Sequence, residues 1–368
     1  MPKHSMASLP NTTTHTKRSI QVDFLRSLAI AAVVCLHTLP IPLLHHNGLY
    51  ALLISSLVGS LSKIGVPLFL IISGYLMLDR DYSGNGLKRF LTHNYFPLFI
   101  SFELWCIIST TVQLFLHHSF ENIYSMLRTM LFVGEPNMVH FWYMQMLLGI
   151  YLSIPLLASF MHNMQNGSRY IELIAGIGTV FIMLIPTIQM ILEWFDIQAM
   201  QEIKLGGFAG QGALGIFYML LGYFIKKDTF HLSRAFARRT LFASSFFLLW
   251  IISSIEIYLT KKIFTADTGF LPIALFTFAL SNAIIYSPIW SHCKAYIALS
   301  FKTIAQYAYG IYMTHILIHA VAEYAISPGS HLLRIAALNP ISTFVLSILC
   351  CLIINAIPSL RKNLLLIK

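Results

Sequence analysis

The chain has 368 residues, of which 57% are hydrophobic and only 10% charged, and its mean hydropathy is +0.72. Soluble domains carry about 25% charged residues, so polar groups cannot cover this chain and its solvent must be lipid. The net charge of +10 would suit a nucleic-acid binder, but the basic residues are scattered between apolar runs. That pattern fits the cationic cytoplasmic loops of a membrane protein and speaks against a nucleic-acid partner.

Residues 1–19 form a polar, Ser- and Thr-rich tail ending near Lys17-Arg18, with no short apolar run and cleavage site to suggest a removable signal peptide. Ten stretches then approach the ~20 apolar residues needed to cross a bilayer: 20–40, 51–78, 95–116, 140–161, 171–193, 208–226, 239–260, 269–287, 303–326 and 338–359. Gly and Pro punctuate the turns at Pro40 and Pro42, Gly84 to Gly86, Gly134 to Pro136, Asn166-Gly167 and Ser327 to Gly329. One alternate set of loops and tails holds 17 of the Lys and Arg residues and the other set holds five; Arg26 and Lys63 lie within spans. This bias places both termini in the cytoplasm, as an even number of spans requires. The expectation is an all-α integral membrane protein, a bundle of about ten transmembrane helices. It has a tail at 1–19, one membrane domain at 20–360 and a short basic tail at 361–368.

The five cysteines (Cys35, Cys106, Cys293, Cys350 and Cys351) have no CxxC spacing and read as small apolar fillers, so neither disulfides nor a metal are expected.

Ionisable residues at membrane depth cost roughly 2.5–3.5 kcal/mol each in insertion assays, and they persist where they face a cavity or a partner. The first stretch holds Asp23, Arg26 and His37. The step from Arg26 to His37 is 11 residues, about 1100° or +20° after three turns, so the two share a stripe about 16 Å long. Asp23 lies three residues before Arg26 on that face. Asp23 and Arg26 also sit where an ordinary interfacial anchor pair would snorkel. Lys63 in the second stretch needs a partner or an aqueous route, and Ser73-Gly74 suits small-residue helix packing. The fourth stretch opens His140-Phe141-Trp142-Tyr143: an aromatic belt accounts for Trp142 and Tyr143, while His140 suits the outer mouth of a cavity. In the ninth, Tyr312, His315, His319 and Glu323 recur at steps of three and four and form one polar stripe. Glu103 and Glu256 each stand alone in sequence.

These segments, in this order, resemble the acyltransferase 3 family of membrane O-acyltransferases. The resemblance rests on Asp23-x-x-Arg26 with ten residues between Arg26 and His37, on VPLFLIISGYLML at 66–78, on HFWYMQMLLGIYLSIPLL at 140–157 and on YAYGIYMTHILIHA at 307–320. Lys63 departs from the Arg that members often carry there and Ala308 from a Ser. With no SGNH esterase-like domain following, the chain looks like the stand-alone subclass that includes the enterobacterial common antigen O-acetyltransferase.

The resemblance implies a multi-pass protein of the bacterial inner (plasma) membrane. It would transfer a short acyl group, acetyl from acetyl-CoA by family frequency, to a hydroxyl of a cell-surface glycan or a lipid-linked sugar. His37, Arg26 and Asp23 are the expected catalytic residues, with His37 as general base or as acyl-carrying nucleophile. Arg26 and Lys63 would bind the acyl-CoA donor, and His140, Trp142, Tyr312 and His315 the acceptor. The competing reading is a secondary transporter or polysaccharide exporter with a buried His/Glu proton relay.

Overall fold

The computed structural model describes residues 18–39, 48–117, 121–163, 167–197, 210–232, 234–261, 267–326 and 338–367. Most of the polar tail, the turns at Pro40 and Pro42 and at Ser327 to Gly329, and the loop cations Lys204, Lys262 and Arg334 lie outside them. The described residues are helical and contain no strand. In chain order the helices are α1 (Ile20–Thr38), α2 (Leu49–Ser62), α3 (Gly65–Met77), α4 (Asn85–Phe90), α5 (Phe96–His117), α6 (Glu121–Met130) and α7 (Phe141–Asn163). They continue with α8 (Gly167–Gly178), α9 (Ile185–Trp194), α10 (Gly210–Lys227), α11 (Ala235–Thr260), α12 (Leu271–Ile285), α13 (Ala295–Ala325), α14 (Pro340–Asn355) and α15 (Pro358–Leu364).

Each of the ten apolar stretches lies on a helix or a helix pair. Among the described residues, six helical runs can cross a membrane by length and composition: Ile20–Thr38, Leu49–Met77, Asn85–Leu116, Phe141–His162, Arg169–Trp194 and Ala235–Thr260; α12 and α14 are apolar but shorter. The sequence reading missed the amphipathic α6, which exposes Ile123, Tyr124 and Leu127.

Prolines set the irregularities. Pro67 lacks the N–H that would bond the Lys63 carbonyl, and its ring crowds that carbonyl. The helix therefore breaks between α2 and α3, at Lys63-Ile64. Pro97 and Pro186 act likewise on His93 and Ile182, and there the ladder re-registers through π-helical turns at Leu91–Tyr95 and Thr179–Leu184.

Helix α1 packs against α2, α3, α12, α13 and α14, so its polar residues face protein. It runs parallel to α13: Ser27 donates to the Phe301 carbonyl (3.2 Å), and ten residues on His37 meets His315. Helices α3 and α10 meet at glycines, where a Cβ on Gly74 would collide with the Met219 backbone and one on Gly222 with the Ile71 carbonyl. Past that crossing Asp79 pairs with Lys227 (2.5 Å) and Lys226 (3.7 Å), so these two helices also run in the same direction.

Lys63 and Glu256 are both buried and line a cavity of about 10 Å³ with Ser56, Ser60 and Ser253. Glu256, followed by Asp267, is the principal negative charge acting on Lys63. Removing one member of a buried pair strands the other, at a cost of about 3–5 kcal/mol. Glu256→Gln is therefore expected to lower the melting temperature of the purified protein, whereas a combined Lys63→Met and Glu256→Leu variant recovers most of the loss. An additive double variant would show that the two charges do not interact.

Candidate active site

The 11-residue step on α1 carries two different sites. At its N-terminal end Asp23 is buried and accepts two hydrogen bonds from Arg18 Nε, at 2.7 and 3.0 Å. Asp23 is therefore held by Arg18 rather than gripping Arg26, although it lies near enough to act on Arg26 electrostatically. Arg26 makes no hydrogen bond or ion pair among the described residues, and its guanidinium faces a cavity of about 670 Å³. Phe69 and Ser73 of α3, Thr92, His93 and Asn94, Tyr143 and Tyr151 of α7, and Gln306, Tyr309 and Tyr312 of α13 line that cavity. Arg26, His93 and Lys362 supply its basic groups, and no carboxylate side chain among the described residues lines it. An unpaired guanidinium in such a space is a receptor for an anion.

At the other end of α1, three imidazoles converge. His37 and His315 lie with ring centroids 5.2 Å apart, and His140 lies 5.2 Å from His315. Hydrogen bonding fixes the tautomers of the first pair. His315 Nδ1 faces two carbonyl oxygens, of Tyr312 at 2.7 Å and of Ile311 at 3.2 Å, so that nitrogen carries the proton and Nε2 is the acceptor. His37 Nδ1 lies 3.0 Å from the Val33 carbonyl and 3.2 Å from His315 Nε2, both acceptors, so it too is protonated. The lone pair of His37 is thereby left on Nε2, which has no partner among the described residues and remains accessible. His315 is fully buried, with its ring held by the Tyr312 and Ile311 carbonyls.

His140 is 1% exposed, and neither ring nitrogen has a hydrogen-bond partner among the described residues. Such a group stays buried at a cost unless something else meets it. Its backbone carbonyl accepts from the Tyr312 hydroxyl, which ties the start of α7 to α13. The Tyr143 and Tyr312 rings lie 5.5 Å apart and line the large cavity. On its other side Tyr312 touches His140 at 5.3 Å and His315 at 5.9 Å. The two tyrosines form the boundary between the cationic cavity and the imidazoles.

The structure thus gathers His37, His140, Tyr312 and His315, and sets Arg26 in the cavity behind them. It does not gather the rest. Lys63 is turned toward α11 by the Pro67 break and lines the small cavity with Glu256, apart from Arg26. Trp142 packs against Tyr143 at 6.2 Å rather than against the imidazoles. The polar stripe of α13 divides, because Tyr312 and His315 are buried while Glu323, which acts electrostatically on His319, is exposed. Tyr143 and Tyr151 went unread as site residues. Yet the arithmetic that links Arg26 to His37 links His140 to Tyr151, an 11-residue step of about +20°.

A family model described as an acyltransferase domain matches residues 19–358, nearly the whole chain. The chain belongs to the acyltransferase 3 family. No match was found among curated proteins or among solved structures. Membership makes the protein a membrane-associated acyltransferase, and the helices able to cross a bilayer make it multi-pass. The matched region contains all three imidazoles and Arg26.

Proposed function

We propose that the protein is an O-acyltransferase that moves a short acyl group, acetyl from acetyl-CoA foremost, onto a hydroxyl of a cell-surface glycan or lipid-linked sugar. The observation that carries this reading is the alignment of Arg26, unpaired among the described residues and facing a cationic cavity, with an oriented imidazole pair beyond Tyr143 and Tyr312. Coenzyme A is a polyanion with a long uncharged arm. Arg26 suits its charged or amide groups, and the thioester would pass between the two tyrosines toward His37. In the same reading the ten apolar stretches are ten spans of the bacterial inner membrane with both termini cytoplasmic. The donor then enters from the cytoplasm and the acceptor from the opposite face.

His37 Nε2 takes the proton of the acceptor hydroxyl as the oxygen attacks the thioester carbonyl. The tetrahedral intermediate collapses with cleavage of the C–S bond, and the imidazolium returns its proton to the departing thiolate. The products are the O-acyl ester and free CoA. His315 holds His37 in the productive tautomer and Asp23 steadies the entry of α1 through Arg18. His140, buried against His315, would shape the acceptor pocket rather than take a proton. Lys63 is left out of donor binding, since it faces Glu256.

The test is reconstitution in nanodiscs with labelled acetyl-CoA and a panel of glycans and lipid-linked sugars. Stoichiometric CoA release with label on an acceptor is the expected result. Folded protein that turns over no acyl-CoA, but moves a glycan across a vesicle membrane, would overturn the proposal.

A further inference from the structure

The stretch after α14 is built into the wall of the large cavity rather than hanging free as a basic tail. The Leu364 carbonyl accepts a hydrogen bond from the Trp105 indole N–H (3.1 Å) and one from the Ser101 hydroxyl (3.4 Å), both on α5. Leu365 is 2% exposed, and Leu366 turns the chain through a left-handed conformation with φ of 57°, uncommon for a leucine. Lys362, Leu365, Leu366 and Ile367 thereby line the cavity that Arg26 faces. Gly310 of α13 makes this approach possible, because a Cβ there would press on Leu365 Cδ2 and on Cys351 Sγ. The Lys362 side chain is exposed, as is that of His93, so both stand where the cavity meets solvent, while Leu365 to Ile367 give it an apolar side.

We propose that the Lys362–Ile367 segment is part of the donor-binding site: Lys362, together with His93, holds the phosphates of acyl-CoA, and the following residues flank the uncharged arm. The inference rests on the reading of the cavity as an acyl-CoA site. It adds a binding residue outside the stretch that the family model matches, which ends at residue 358. An ordinary interfacial lysine would also sit at the membrane surface, but it would not distinguish a ligand with phosphates from one without.

Equilibrium binding to purified protein in nanodiscs separates the two, using labelled CoA and labelled S-acetyl-pantetheine, which lacks every phosphate. Lys362→Gln is expected to weaken CoA binding about five- to tenfold, the size of one partly screened charge-assisted contact. Binding of S-acetyl-pantetheine should be unchanged, and Lys362→Arg should restore CoA affinity. Gly310→Ala, which displaces Leu365, is expected to weaken both ligands together. Unchanged CoA affinity in Lys362→Gln, with normal binding by the parent protein, overturns this inference and leaves the acyltransferase reading standing. A parent protein that binds neither ligand overturns both.

Discussion

His37→Ala is expected to lower acyl transfer by about 10²–10⁴-fold, the usual contribution of a positioned general base. Amide-bearing His37→Gln should fall equally far, because it fills the space but accepts no proton. Nothing else described replaces that nitrogen. His315 Nδ1–H is committed to the Tyr312 and Ile311 carbonyls, and its Nε2 receives the His37 proton. His140 has free nitrogens but is 1% exposed. His315→Ala should show a smaller loss in the catalytic constant, since His37 keeps its bond to the Val33 carbonyl and loses only its second acceptor. Both variants should bind acyl-CoA as the parent does, since neither residue lines the cavity proposed for the donor. The measurement is CoA release and acceptor labelling by purified variants of equal monodispersity; full activity in His37→Gln would remove His37 from the chemistry.

Gly74→Val is expected to abolish accumulation of folded protein. Overpacking a protein interior costs about 1–3 kcal/mol when side chains can shift. At this crossing the obstacle is the Met219 backbone, and at the reciprocal Gly222 it is the Ile71 carbonyl, so whole helices must separate. The cost should exceed that range, because backbone rather than side chain blocks the added atoms. Gly149→Val and Gly176→Val are the controls, since a Cβ at either meets nothing within 4 Å. Detergent-extracted yield and thermal melting should separate Gly74 and Gly222 from this pair. A Gly74→Val protein that melts like its parent would mean that the two helices do not touch there.

Much of the site was legible as periodicity. The 11-residue step marked Arg26 and His37, and the three- and four-residue steps on α13 marked Tyr312 and His315, because a helix returns to the same face at those intervals. The same step on α7, from His140 to Tyr151, went unused because tyrosines at a membrane surface have a cheaper explanation in the aromatic belt. Glu256 read as a solitary carboxylate because its counter-charge, Lys63, is 193 positions away in the sequence. Trp105 and Ser101 carried no signal at all, as their partner is a backbone carbonyl of a distant segment.

The sequence by itself determined the solvent, the helical class, the apolar stretches and the family. Each of these follows from local composition, from a single helical period or from residues in fixed order along the chain. Only the tertiary structure decided which polar groups meet. Asp23 went to Arg18 and left Arg26 unpaired among the described residues, His37 found its acceptor 278 residues away, and Lys63 came to line a small cavity with Glu256 rather than the one that Arg26 faces. The physical reason is that periodicity fixes the face of one helix but not the neighbour against which it packs. That choice is made by glycine contacts and proline breaks whose consequences appear only when helices come together.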